Sequence, residues 1–296
     1  MSTSDGRAPI VVGVEATTSA RAAVAWAADE ADRRRLPLRL VSALDWPADA
    51  DRDPAERRPT ETWRRMFEDP GRRTLAETRA QAVAAHPALH VEEALIDGDP
   101  ADVLRAEART ASMVVLGSRG LSSARELMTT GGIAVPVVAH APCPVVVVRN
   151  AERLSGAAPM IVVGVDGSVV SERAVAFAFE EASLRGAEVL AVHVRDPRPG
   201  SVAASVADAD EIKEGRRRLK GALTGYHEKY PGVKMQREVA LGHPVHVLVR
   251  ASEHALCLVV GTRGVGGFRG MLLGSVGYGV LHHACCPVVV LPRTGS

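Results

Sequence analysis

The residues of this chain best placed to do chemistry are Gly261-Thr-Arg-Gly264, followed after nine residues by Gly274-Ser275. Glycine has no Cβ, so a loop of this kind lets backbone N–H groups approach an anion closely. The Ser275 hydroxyl can donate to a phosphate, and it can equally cap a helix. A helix opening just after it adds the positive end of its dipole. The chemistry implied is the binding of a phosphate-bearing ligand. Arg263 and Arg269 lie inside the loop. They read equally as solvated surface cations and as partners of a polyphosphate.

The elements that must position this loop are legible around it. The buried-strand run Cys257-Leu-Val-Val260 precedes it directly. An unbroken apolar run over 160–165 reads as a central parallel strand buried on both faces. Asp166 follows it, placed either to cap a turn or to face a ligand. Further strands are expected over 188–194, 233–240, 256–260 and 287–291. Helices are expected over 171–185, capped by Ser171 and ended by Gly186, and over 205–229, 244–254 and 276–283. Strand–helix alternation predicts an α/β fold: a five-stranded, doubly wound parallel sheet with helices on both faces. Ligands of such sheets bind at the carboxyl ends of the strands.

The chain carries this unit twice. Gly13 matches Gly164 at an offset of 151, Gly117 matches Gly261 at 144, and Cys143 matches Cys286 at 143. Asp97-Gly-Asp-Pro100 matches Leu241-Gly-His-Pro244 at 144. Two tandem domains are therefore expected, over 1–152 and 153–296. The first is longer by seven residues between its second strand and Gly98. That excess falls in the charged stretch from Asp45 to Gly71, with Trp46 and Trp63, which reads as a mobile surface loop near the ligand rim.

The spacing Gly-x2-Gly-x9-Gly-Ser resembles the nucleotide loop of the universal stress protein family, in its ATP-binding branch. The resemblance extends to Ile161-Val-Val-Gly-Val-Asp166-Gly-Ser168, to Val192-His-Val194 and to Cys286-Pro-Val-Val-Val290. In worn form it covers Val11-Val-Gly-Val-Glu15, Gly117-Ser-Arg-Gly120 and Cys143-Pro-Val-Val-Val-Val148. It implies an ATP-binding regulator of the stress response that acts through nucleotide occupancy and partner binding. It places Gly261, Gly264, Gly274, Ser275 and Val276 at the phosphates and ribose, with Arg263 beside them. It places Asp166 near ribose, phosphate or a magnesium ion, and the backbone of Val194 near the adenine. The weaker counterparts in the first half are Glu15, Ala43, Gly117, Gly120, Thr130 and Gly131. It further implies self-association through the final strands.

The first half departs from the pattern. Glu15 replaces Asp166, Ala16-Thr17 replaces Gly167-Ser168, and Thr130-Gly131 stands where Gly-Ser is wanted. Weaker nucleotide binding is expected there.

Composition excludes several alternatives. Residues 1–150 hold 19 basic and 21 acidic side chains, and 151–296 hold 17 and 14. Neither balance suggests nucleic acid, and aromatics at 3 % offer no base-stacking platform. The opening residues lack an apolar signal core, and the longest apolar stretch, 134–148, is broken by His140 and three prolines. No membrane association and a cytoplasmic location are expected. The neighbours His282, His283, Cys285 and Cys286 read as packing rather than zinc ligands, since adjacent helical residues point apart. No Lys lies near either loop, which excludes a GxxxxGK[ST] phosphate loop. A slow ATPase or nucleotide-transfer enzyme on the same fold is the alternative reading, and an interaction module without nucleotide is a third.

Overall fold

A computed structural model describes residues 7–46, 61–118, 132–149, 159–196, 206–264 and 273–293. The described residues fall into two compact units, divided after Val148.

In the first unit the order is β1 (Ile10–Gly13), α1 (Thr18–Arg34), β2 (Leu38–Leu44), α2 (Glu61–Ala85), β3 (Val91–Asp97), α3 (Pro100–Glu107), β4 (Met113–Gly117), α4 (Ala134–His140) and β5 (Val145–Val148). Its strands pair in parallel in the order β3-β2-β1-β4-β5. The second unit repeats this with β6 (Met160–Gly164), α5 (Val169–Arg185), β7 (Glu188–Arg195), α6 (Val206–Ala222), α7 (Tyr226–Lys229), β8 (Met235–Leu241), α8 (Pro244–Ala251), β9 (Cys257–Gly261), α9 (Ser275–His283) and β10 (Val288–Leu291). Its order is β8-β7-β6-β9-β10, again parallel. The α/β tandem expected from the repeat is therefore the architecture observed.

Burial explains the apolar runs. Successive residues of a strand point to opposite faces, yet Ile161, Val162 and Val163 are all fully buried, as are Ile10, Val11 and Val12. The central strands are thus covered on both sides, as a parallel sheet layered with helices requires.

Local chemistry sets the boundaries and corrects several expectations. The cap of α5 is Ser168, not Ser171: Ser168 Oγ accepts from the Ser171 N–H at 3.1 Å. Gly186 ends that helix at φ 62°, as its position suggested. The expected 205–229 helix is two helices, because Gly225 adopts φ 82° between them. The short α7 is held by Tyr226, which stacks on the buried Phe179 at 4.8 Å. The charged stretch of the first unit is not all loop. From Glu61 onward it belongs to α2, a 25-residue helix that contains Pro70. Glu61 bridges Arg64 and Arg65 in its first turns, which offsets part of the cost of the proline.

Candidate functional site

The site lies where the chain reverses its direction across the second sheet. β6 has β7 on one side and β9 on the other, so the carboxyl ends of β6 and β9 open a crevice between them. Its volume is about 390 Å³, within the roughly 300–1,000 Å³ of small-molecule sites. Val192, Val194, Leu248 and Val260 supply apolar wall. Asp166, Ser168, Thr262, Arg263, Gly264, Gly274, Ser275 and Val276 supply polar groups and backbone.

Asp166 is fixed by its own turn. Its Oδ1 accepts from the Ser168 N–H at 2.9 Å, and Gly167 takes φ 85° to close the bend. The carboxylate therefore caps a turn and also faces the crevice, so the two readings of Asp166 coexist. Its Oδ2 lies against Gly264, in space that a side chain there would occupy.

The other side is made by the return of the loop. The Gly274 N–H donates to the Thr262 carbonyl at 2.8 Å, which clamps the two ends of the loop together. Gly274 is also the residue that caps α9, with ψ 154° and no side-chain bond, while Ser275 is the first helical residue. The first N–H used by the helix ladder is that of Tyr278, to Gly274 O at 2.9 Å. The N–H groups of Ser275, Val276 and Gly277 precede it, and all three residues line the crevice. With the half-buried Arg263 they form a positive end suited to an anion. Asp166 gives the same crevice one negative group. That pairing suits a ligand that carries both phosphates and hydroxyls, or phosphates with a divalent cation.

The eight second-half residues that the resemblance places at the nucleotide all line this one crevice: Asp166, Val194, Gly261, Arg263, Gly264, Gly274, Ser275 and Val276. Gly261 has a packing role as well, since a Cβ on it would meet Val170 Cγ1 at 2.7 Å. Arg269 lies outside the described residues. Thr262, Pro244, Leu248 and Gly277 line the crevice beside the eight and were not expected there. Thr262 was flagged only by its place between Gly261 and Arg263. Pro244 and Leu248 are four apart on one helix face, a signal that the apolar pattern carried.

The first unit builds the corresponding rim differently. Glu15, one methylene longer than Asp166, is met by a side-chain hydroxyl: Thr17 Oγ1 donates to its Oε1 at 3.0 Å. Thr17 in turn caps α1 by accepting from the Ala20 N–H at 3.2 Å. A Cβ on Gly117 would meet the Ser19 backbone at 2.6 Å, so this glycine serves helix–strand packing. Ala43 lies in β2 opposite Ile96 and is half-buried. Trp46, just past β2, donates from Nε1 to Asp97 Oδ1 at 3.1 Å and meets Phe67 edge-on at 5.9 Å. Gly120, Thr130, Gly131 and the side chain of Trp63 lie outside the described residues.

A repeated α/β unit with a glycine-clamped loop at its switch point places this crevice where open parallel sheets bind their ligands. The family model described as the universal stress protein family matches this chain twice, over residues 6–149 and 160–292. A universal stress protein of Mycobacterium tuberculosis is 38 % identical over 293 residues, covering 95 % of this chain and 96 % of its own. One from Mycolicibacterium smegmatis is 32 % identical over 291 residues, covering 96 % and 97 %. Among solved structures, a universal stress protein from Archaeoglobus fulgidus matches with TM-score 0.71 at 17 % identity, covering 97 % of both chains. The chain belongs to the universal stress protein family, with two of its domains in tandem. Among the described residues no helix is long and apolar enough to cross a membrane.

Proposed function

We propose that the second unit binds ATP, and that occupancy of this site controls the partners of a cytoplasmic stress-response regulator. The carrying observation is the crevice at the ends of β6 and β9, with the first turn of α9 and the clamped Thr262–Gly274 loop ends at its border. In this reading the phosphates meet the N–H groups of Ser275, Val276 and Gly277, with Arg263 alongside. The adenine lies against Val194 and Leu248. Asp166 is suited to ribose hydroxyls or to a magnesium ion shared with the phosphates. Magnesium would neutralise phosphate charge there; the chain's own residues bind and orient. The first unit binds more weakly, because Thr130-Gly131 stands where the second unit has Gly274-Ser275 and Glu15 stands where it has Asp166.

The test is mass analysis of small molecules released from gently purified protein on denaturation. Adenine nucleotide near one equivalent per chain supports the reading. Protein that carries none, and gives no heat on titration with ATP and magnesium, contradicts it.

A further inference from the structure

His193 stands in β7 between two crevice residues, Val192 and Val194, and is only 4 % exposed. Its Nδ1 lies 2.6 Å from the carbonyl oxygen of Val165. A carbonyl can only accept, so Nδ1 carries the hydrogen and donates it. Val165 is the residue between β6 and Asp166. Its N–H is already held by Val192 O at 2.9 Å. Adjacent residues of β7 therefore hold both backbone polar groups of Val165, directly before the turn that aims the Asp166 carboxylate.

The imidazole is held from behind as well. A Cβ built on Gly215 of α6 would meet His193 Cδ2 at 2.9 Å and Val239 Cγ1 at 2.8 Å. Only glycine lets α6 approach so closely. His193 Nε2 is buried, with no hydrogen-bond partner among the described residues. Burial of an unpaired polar atom is unfavourable, so the ring is kept at a cost that its Nδ1 bond must offset.

The first unit supplies a natural contrast. Gly13 pairs with Val41 as Gly164 pairs with Val192, so the position matching His193 is Ser42. A serine has no ring to carry a donor as far as imidazole does. The strap is thus present in the unit with the full glycine loop, and its ring is absent from the unit with the degenerate one.

We propose that His193 is a positioning residue of the second-unit site: its Nδ1–H holds the Val165 carbonyl and thereby sets the Asp166 turn. This rests on the ATP-binding reading for its functional consequence, but not for its structural one. Asparagine places its side-chain N–H where Nδ1 stands, whereas leucine fills the space without a donor.

The experiment compares wild type, His193→Asn and His193→Leu in the full chain. Amide NMR of ligand-free protein reads the turn directly, and ATP calorimetry with magnesium reads the site. Expected are displaced Asp166 and Ser168 amide signals in His193→Leu and near-wild-type ones in His193→Asn. ATP affinity should fall roughly five- to tenfold in His193→Leu, the loss of one buried hydrogen bond, and recover in His193→Asn. Unchanged Asp166 and Ser168 signals in a folded His193→Leu overturn the proposal. So do equal losses in both variants, since bulk packing alone would then explain them. A wild type that shows the NMR pattern but binds no ATP instead refutes the functional reading and leaves the strap standing.

Discussion

The Asp166 carboxylate occupies the space that a side chain on Gly264 would need: a Cβ built on Gly264 falls on Oδ2, well inside van der Waals contact. Two strand ends, more than ninety positions apart in the chain, are thereby fitted to each other at the crevice. Gly264→Ala must displace Asp166 and strain its bond to the Ser168 N–H. ATP affinity should fall by about 1–2 kcal/mol, the scale of one charge-assisted hydrogen bond. Calorimetry of Gly264→Ala beside Asp166→Asn checks this. Wild-type affinity in a folded Gly264→Ala would show that the contact does not matter to the ligand.

The repeat makes a stability prediction. α1 ends at Arg35 with φ 54°, whereas α5 ends 151 positions later at Gly186 with φ 62°. A left-handed conformation costs a residue with a Cβ roughly 1–2 kcal/mol, part of which the greater freedom of glycine in the unfolded chain takes back. Arg35→Gly should therefore stabilise the first unit by about 0.5–1 kcal/mol. Thermal unfolding measures it, and a lowered melting temperature would contradict it.

A second symmetric feature is buried charge. Glu30 and Glu181 are fully buried, and each is bridged by the arginine one turn on, Arg34 and Arg185. Removing the arginine takes away a cation that offsets the desolvation of the buried carboxylate. Arg185→Met should cost about 3–5 kcal/mol. Replacing Glu181 and Arg185 together by Leu and Met should cost less than Arg185→Met alone, as denaturant unfolding of the variants would reveal.

Cysteine reactivity should follow burial. Desolvation pushes the Cys286 and Cys143 thiols up to about 11. At pH 8 their thiolate fraction is on the order of one in a thousand. Cys285 is only half-buried. Brief alkylation of native protein, followed by peptide mass mapping, should mark Cys285 before either neighbour in kind.

Much of this was legible in the sequence, and the reasons are particular. Continuous apolar runs such as 161–163 betrayed strands covered on both faces, because they are short, rich in β-branched residues and ended by glycine. Gly261, Gly264 and Gly274 were legible because their spacing is set by a loop that must close on itself. The Asp166–Gly264 contact was not, since it joins two loops that only the sheet order brings together. Ser168 was passed over as a cap in favour of Ser171, both being capable hydroxyls one turn apart. The helix over Glu61–Gly71 was hidden by Pro70 and Gly71, which argue for loop until the i,i+3 and i,i+4 ion pairs are counted. His193 is legible only as part of the strand motif Val192-His-Val194, because alternation alone cannot distinguish a packed ring from one that donates to Val165.

One titration tests the second-unit site most directly. Full-length protein and Gly274→Glu are each titrated with ATP and magnesium by calorimetry, with circular dichroism to confirm folding. A side chain at Gly274 presses on Thr262 O at 3.2 Å and on Arg263 Cα at 3.4 Å, and its carboxylate repels phosphate at the first turn of α9. Tight binding by wild type, with the second site filled first, and severe loss in Gly274→Glu are expected. Wild-type affinity in a folded Gly274→Glu would contradict the assignment of this site.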